Sequence, residues 1–458
     1  MFGENKVLVV GLAKSGLASA RYLLECGAKV IVCDSKSQEM LADTIEDLKK
    51  LSNIEFIIGR NANYDEIRDV DFIVVSPGVP LELDFLVKSK ENGKKIISEI
   101  ELAYNVGLTK GISFVGITGT NGKTTTTSIM GEVCKAAGKE TYVVGNIGNP
   151  AIEAVKNAGK GAYLVTELSS FQLESIEKFK PVVSTVLNLT EDHLNRHHTM
   201  ENYASAKARI FENQTKNEIC VLNYDDSITK KMATDNNSKI MFFSRKNRVE
   251  NGVFLNEKNE IIFSEDGCEK YFMKVEELSL PGGHNVENCM SVICMSLAIG
   301  IEKGVIIDVL KKFKAVEHRL EYVDTIKGID FVNDSKGTNP DSTIKAVQSY
   351  KAPIILIAGG YDKNSDFNKL FEIAKTNVRS VLVLGQTAEL IETTARNHGI
   401  KEVIRVSTIK EAVEKSIEIA NEKDVVLLSP ACASWGMYNN YEERGNDFKE
   451  CVRKLRGY

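Results

Sequence analysis

The chain has no Cys-x-x-Cys pair, and its nine cysteines are scattered singly. An odd, dispersed set predicts a reduced, intracellular compartment. Long apolar runs are absent as well. Stretches such as IILIAGG from Ile354 are too short to span a bilayer, which argues against membrane insertion. They read instead as buried parallel strands. There is no excess of positive charge: 58 Lys and Arg stand against 63 Asp and Glu, a net charge of −5 and a pI near 5.9. That argues against a main role in coating nucleic acid or an anionic membrane, but leaves open a local cluster of donors for phosphate. The start, MFGENKVLVVGL, lacks secretory-signal architecture, because its apolar run is short and meets a glycine at once. The expected location is the cytoplasm. Internal repeats and low-complexity segments are missing too.

What is present is ordinary for a globular protein: 43% apolar and 26% charged residues over 458 positions. At roughly 150 residues per domain, that length predicts about three domains. Short apolar runs alternate with helix-like segments, the pattern of parallel α/β sheets. KVLVV from Lys6, KVIVCD from Lys29, DFIVVSPG from Asp71 and KKIIS from Lys94 read as strands of a first domain, residues 1–93. ISFVGIT from Ile112 opens a second, residues 94–315, with further strands at TYVVG, AYLVTE, VVSTVLN and EICVLN. Between Lys239 and Leu280, short pieces such as KIMFFS and EIIFS suggest an antiparallel excursion, and HNVENCMSVICMSLAIG reads as an apolar helix. A third domain, residues 316–458, has strands at DFVNDS, PIILIAGG, SVLVLG and DVVLLSP. The expected fold class is α/β in three domains. The first and third are Rossmann-like, and the central one is P-loop ATPase-like, with a parallel sheet plus a small antiparallel excursion.

The strongest local signal is ITGTNGKTTTT, Ile117 to Thr127, which follows an apolar strand and precedes a helix. Gly119 and Gly122 let the backbone curl so that its N–H groups face an anion. Lys123 would reach the β- and γ-phosphates, Thr124 would offer its hydroxyl to Mg²⁺, and the helix N-terminus adds partial positive charge. The usual G-x-x-x-x-G-K-[ST] spacing is not met, since Ile117 stands where the first glycine belongs. The bland alternative is a polar strand-to-helix turn containing G-K-T. A second, weaker glycine turn is VVGLAKSG, with Gly11 and Gly16 but Ala13 at the middle position. Asp34 ends the next strand and SPG (Ser76 to Gly78) ends another, so several strand ends could form a second nucleotide-like site at one sheet edge. A ligand-free βα turn is the alternative there.

Behind the phosphate loop, Glu167 ends the strand of VTELSSFQLE, His193 follows a strand in NLTEDHLNRHH, and Lys207 lies on the helix of YASAKARIF. Strand-end acids near phosphates commonly hold the metal. Taken singly, Glu167 as a helix cap, His193 as a loop histidine and Lys207 as a solvated lysine are equally ordinary readings. His197 and His198 read as loop residues without a metal role.

Together these motifs resemble the Mur ligase family, the ATP-dependent amide ligases of peptidoglycan precursor synthesis. The similarity rests on GTNGKTT, GNIG (145–148), ELSSFQLE, Asp192–His193, HNVEN (His284 to Asn288), EHRLE (Glu317 to Glu321) and NDSKGTNP (Asn333 to Pro340). SPACASWGMYNNYEERGNDF (Ser429 to Phe448) and GGYDKNSDF (Gly359 to Phe367) are similar to the D-glutamate-adding members, and the D-N-P-R motif of the diaminopimelate-adding relative is absent. The resemblance implies that ATP phosphorylates the carboxylate of UDP-N-acetylmuramoyl-L-alanine and that the amine of D-glutamate attacks the acyl phosphate. It implies ATP contacts at Gly119, Thr120, Asn121, Gly122, Lys123, Thr124, Thr125, Asn288, Arg319 and Asp334. One Mg²⁺ is expected at Thr124 and Glu167. A second is expected at His193 and Lys207, the lysine as a carbamate. Asp34, Ser35, Gly78 and Asn146 are the implied contacts to the UDP-sugar. Thr338, Lys363, Ser434 and Tyr441 are the implied D-glutamate pocket. Trp435 and Tyr441 depart from the aliphatic or phenylalanine side chains frequent in the family. A hinge near Ala315 to Arg319 is expected to close the third domain on the second, and the chain is expected to act as a monomer. The rivals are another Mur ligase or a folylpolyglutamate synthetase, a P-loop switch that ligates nothing, and a nicotinamide-dependent oxidoreductase built on Gly11 and Gly16. The last two leave NDSKGTNP or GTNGKTT unexplained.

Overall fold

Runs rich in Val, Ile and Leu that are buried on both faces suit central strands of parallel sheets. In the computed structural model, which describes residues 2–457 apart from 147, 235, 315, 316 and 362–364, such runs build three sheets. The first holds β1 (Lys6–Val10), β2 (Lys29–Asp34), β3 (Ile54–Ile58), β4 (Phe72–Val75) and β5 (Lys95–Ser98). Its order is β3-β2-β1-β4-β5 and every pairing is parallel. The order reverses between β1 and β4, and the carboxyl ends of those strands open the crevice where such sheets bind ligands.

The second sheet holds β6 (Ser113–Thr118), β7 (Thr141–Gly145), β8 (Tyr163–Glu167), β9 (Val183–Val186), β10 (Ile219–Asn223), β11 (Lys239–Ser244), β12 (Gly252–Leu255), β13 (Glu260–Glu265) and β14 (Cys268–Lys274). Its order is β14-β13-β12-β11-β10-β9-β6-β8-β7. The excursion expected between Lys239 and Leu280 is antiparallel only in part. β11 pairs parallel to β10 and β12 parallel to β11, while β13 and β14 run antiparallel. Those strands extend the central sheet instead of forming a layer of their own. The third sheet holds β15 (Glu321–Ile326), β16 (Ile329–Asn333), β17 (Ile354–Gly359), β18 (Val378–Leu384), β19 (Glu402–Arg405) and β20 (Val425–Leu428), in the order β15-β16-β20-β17-β18-β19. Only β15 is antiparallel to its neighbour.

The chain separates into two compact units. The first comprises residues 1–189, 199–277 and 287–311 and carries the first two sheets; the second comprises residues 190–198, 278–286 and 312–458 and carries the third. In the first unit one core runs from Val7, Val9 and Val32 through Ile100 and Tyr104 to Phe114, Leu164 and Leu222. Val7 and Phe114, on either side of the border expected at residue 93, share that core, and the border expected at 315 falls outside the described residues.

Candidate active site

In the first unit a cavity of about 400 Å³ opens at the switch point of the first sheet and is lined by Gly11, Asp34, Ser35, Ser76 and Gly78 among others. Asp34 builds its wall: Oδ2 accepts the Leu12 N–H at 2.7 Å and Oδ1 the Lys36 N–H at 2.9 Å. The Ser76 hydroxyl donates to the Gly11 carbonyl at 2.9 Å. A Cβ on Gly16 would stand 1.8 Å from that same carbonyl oxygen, so the turn closes only around glycine. The structure therefore brings Asp34, Ser35 and Gly78 together. Asn146 is not among the cavity's lining residues. Its Nδ2 donates to Glu167 Oε1 at 2.9 Å and its backbone N–H to the Glu167 carbonyl at 2.9 Å.

Gly119 and Gly122 of the phosphate loop take φ of 150° and 84°, as the sequence requires. A Cβ on Gly122 would stand 2.3 Å from Asn288 Oδ1, so the HNVEN asparagine packs on the loop itself. A brace that the sequence reading missed is Asn188. Its carbonyl accepts the Thr120 N–H at 2.9 Å, its Oδ1 accepts the Asn121 N–H at 2.9 Å, and its Nδ2 donates to the Asn121 carbonyl at 3.0 Å. Lys123 Nζ donates to the carbonyls of Gly119 at 2.9 Å and Thr120 at 2.7 Å. Lys207 is 2% exposed, which removes the solvated reading, and its Nζ donates to the same Gly119 carbonyl at 2.9 Å. It also lies 4.8 Å from the ring centroid of Tyr203, whose hydroxyl is 3.2 Å from Thr120 Oγ1.

Glu167 is fully buried at the end of β8, and its Oε2 has no hydrogen-bond partner among the described residues. A buried carboxylate oxygen left open is costly unless a cation joins it. With the buried Thr124 in the first turn of the Lys123–Ala136 helix, the donor set is hard oxygen, the type that suits Mg²⁺.

The second unit holds the remaining expected residues. Asp334 is fully buried: Ser429 donates to its Oδ2 at 2.8 Å, and Arg319 Nη1 lies 3.4 Å from its Oδ1. Burial raises its pKa above the ordinary carboxylate value, against the pull of Arg319. Three loops meet here through Arg444, another residue the motif reading left without a role. Its guanidinium donates to the Ser335 carbonyl at 2.9 Å and the Cys432 carbonyl at 3.2 Å. Ser335 Oγ donates in turn to the Tyr441 carbonyl at 2.8 Å. Thr338, Ser434 and Tyr441 thus sit on three segments tied to one another. Lys363 lies outside the described residues. His193, at φ 56°, has its Nε2 3.6 Å from Asp192 Oδ2, which also accepts from Asn339 at 3.3 Å. His193 lies in the second unit and Lys207 in the first.

Models of three known domains match in succession: the Mur ligase MurD-like N-terminal domain over residues 5–98, the Mur ligase middle domain over 117–296, and the Mur ligase glutamate ligase domain over 318–432. The chain is 53% identical to the UDP-N-acetylmuramoylalanine–D-glutamate ligase of Clostridioides difficile strain 630, over 99% of both chains. The chain belongs to the Mur ligase family. Its likeness to the Alkaliphilus oremlandii enzyme of the same description is 47%, again over 99% of both. Among solved structures, Mur ligases with the same fold include Thermotoga maritima UDP-N-acetylmuramate–alanine ligase (TM-score 0.61, 20% identity, 99% and 100% coverage). Acinetobacter baumannii MurF is another (TM-score 0.63, 16% identity, 97% and 93% coverage). Lys123, Thr124, Glu167, Lys207 and Asn288 all lie in the unit that carries the phosphate loop. No helix among the described residues is long and apolar enough to cross a membrane.

Proposed function

We propose that the chain is an ATP-dependent ligase that joins D-glutamate to UDP-N-acetylmuramoyl-L-alanine, releasing ADP and phosphate, in peptidoglycan precursor synthesis. The full-length identity to D-glutamate ligases carries this reading. A carboxylate is a poor electrophile until one of its oxygens becomes a leaving group, so it first attacks the γ-phosphate of ATP and forms an acyl phosphate. The amine of D-glutamate then attacks the acyl carbon and expels phosphate.

The first step brings like charges together. One unit-charge pair at about 4 Å costs roughly 4 kcal/mol at an effective dielectric near 20, and several pairs are involved. Lys123 offsets part of that repulsion once it leaves the Gly119 and Thr120 carbonyls for the β- and γ-phosphates. Thr124 and Glu167 would hold one Mg²⁺, and His193 with a carbamylated Lys207 would hold a second; bound metal supplies the remaining charge neutralisation. The buried, open Glu167 Oε2 supports that role. Asn288, Arg319 and Asp334 are assigned to ATP, and Asp34, Ser35, Gly78 and Asn146 to the UDP-sugar. Thr338, Lys363, Ser434 and Tyr441 are assigned to D-glutamate. The enzyme acts as a cytoplasmic monomer in this proposal.

The test is a substrate panel: purified chain, ATP, Mg²⁺ and UDP-N-acetylmuramoyl-L-alanine, with single amino acids added in turn. D-glutamate alone should stimulate ADP release. Stimulation by another amino acid, or by none, overturns the assignment.

A further inference from the structure

The Glu99–Lys110 helix follows β5 directly, and so leaves the first sheet to lie in the shared core of the first unit. Both of its ends grip another, much shorter helix, Ala151–Asn157. Glu99 Oε1 accepts the Ile152 N–H at 2.6 Å, and its Oε2 has no hydrogen-bond partner among the described residues. At the other end Lys110 Nζ donates to the carbonyls of Val155 at 2.8 Å and Lys156 at 2.9 Å. The lysine charge has the sign that the dipole of the short helix favours at that end. Seven residues are too few to hold a helix unaided, and Pro150 at its N-cap offers no side-chain cap. These two side chains fix its ends, while its buried Ala151, Ile152, Ala154 and Val155 seat it in the core.

Its place matters because of what precedes it. The loop from β7 is closed by the Gly145 N–H donating to the Asn149 carbonyl at 3.2 Å. Within it Asn146 makes its two bonds to Glu167, one to the carbonyl and one to Oε1. Asn146 therefore occupies one carboxylate oxygen and leaves the other, Oε2, open. Pro150 joins the closed loop to the first turn that Glu99 holds.

We propose that Glu99 and Lys110 are positioning residues for the ligase, holding the Asn149–Pro150 entry to the short helix so that Asn146 presents Glu167 with Oε2 free for a divalent cation. The inference rests on the reading of Glu167 as a Mg²⁺ ligand. It gives the UDP-sugar domain a rigid connection to the cation site, through a helix that starts at the last strand of the first sheet. Neither residue touches substrate.

The test uses the full chain with Glu99→Ala, Lys110→Met and Glu99→Gln. Mn²⁺ affinity in the presence of a non-hydrolysable ATP analogue is measured by calorimetry. The Mg²⁺ dependence of ADP release, the UDP-sugar Kd and the melting temperature are measured alongside. Partners outside the ligand shell of a metal typically change affinity by about 10–100-fold, and a residue one contact further out should cost about three- to tenfold. Glu99→Ala and Lys110→Met should weaken Mn²⁺ and raise the Mg²⁺ requirement by that factor. Glu99→Gln, which keeps the Oε1 acceptor, should stay near wild type. A purely structural bolt would lower the melting temperature and leave the cation affinity alone, and that result in either folded variant overturns the proposal. Lys110→Met keeps the apolar stem, so it decides the matter if Glu99→Ala does not fold. Failure of the wild-type chain to bind Mn²⁺ with nucleotide would instead overturn the Glu167 assignment beneath it.

Discussion

Glu99→Gln has a consequence for stability that can be worked out from burial. The Glu99 carboxyl is completely enclosed, and burial pushes it up from 4.5 to about 7, against the pull of the Ile152 and Ala151 N–H groups. Between those two values the folded chain keeps a proton that the unfolded chain has released. Stability from this group is therefore full below pH 4.5 and is lost as the pH rises through 7. At 1.36 kcal/mol for each pH unit the loss comes to about 3 kcal/mol. Glutamine carries no such proton, so the variant lacks this slope whatever its absolute stability. Thermal melting of both proteins by circular dichroism, from pH 5 to pH 8, isolates the difference, because all other titrating groups are common to both. For a cooperative unit of this size the wild type should lose roughly 5 °C relative to the variant over that range. Tryptophan fluorescence is the wrong probe, since the single tryptophan, Trp435, lies in the second unit and Glu99 in the first. Melting curves that stay parallel across the range would mean that the carboxyl is solvated, and the argument from burial fails.

Three further changes probe the site. Lys123→Ala should abolish acyl-phosphate formation while leaving UDP-sugar binding intact, because the cavity at Asp34 is built without that lysine; rapid acyl-phosphate trapping and a binding titration check both halves. Gly16→Ala should do the reverse, since its Cβ would fall 1.8 Å from the Gly11 carbonyl oxygen and force the turn open; calorimetry should show UDP-sugar binding lost with nucleotide binding kept. Lys207→Ala should lose most activity and regain part of it when a small carboxylic acid is added, because the acid restores the oxygens of a carbamate; a variant as fast as wild type rejects the carbamate.

Much of this architecture is written locally. KVLVV, KVIVCD and IILIAG are strands because their apolar, β-branched runs are buried on both faces, and no other element fits their length. The phosphate loop was legible for the same reason: its glycines, its lysine and the helix that follows are consecutive. Strands β3 and β19 are hard to read in sequence because the exposed Glu55 interrupts IEFII and because EVIR is only four residues long. β15 is masked by the charge that EYVDTI carries on an antiparallel edge. The antiparallel direction suggested for this stretch does not hold for β11 and β12. Short runs split by polar turns suit a hairpin and a crossover equally well, and only the pairings of β11 with β10 and of β12 with β11 decide it.

The residues that escaped the sequence share a physical character. Asn188, Glu99, Lys110 and Arg444 bond chiefly to backbone groups of distant segments: Asn188 to Thr120 and Asn121, Arg444 to Ser335 and Cys432. A backbone partner leaves no mark in sequence, since every residue but proline offers the same N–H and C=O. The ligand-facing groups carry distinctive chemistry at fixed spacing, so motifs find them. The groups that hold those motifs in place are ordinary polar residues whose importance lies in where they are buried. Arg444 makes the point most sharply. It is 2% exposed, its guanidinium spans two loops that carry the expected D-glutamate pocket, and desolvation lowers it to about 10. Enclosing a guanidinium among carbonyl acceptors is expensive. What it gains here is the fixed spacing of Ser335 and Cys432, which a planar fork can set and a flexible lysine cannot.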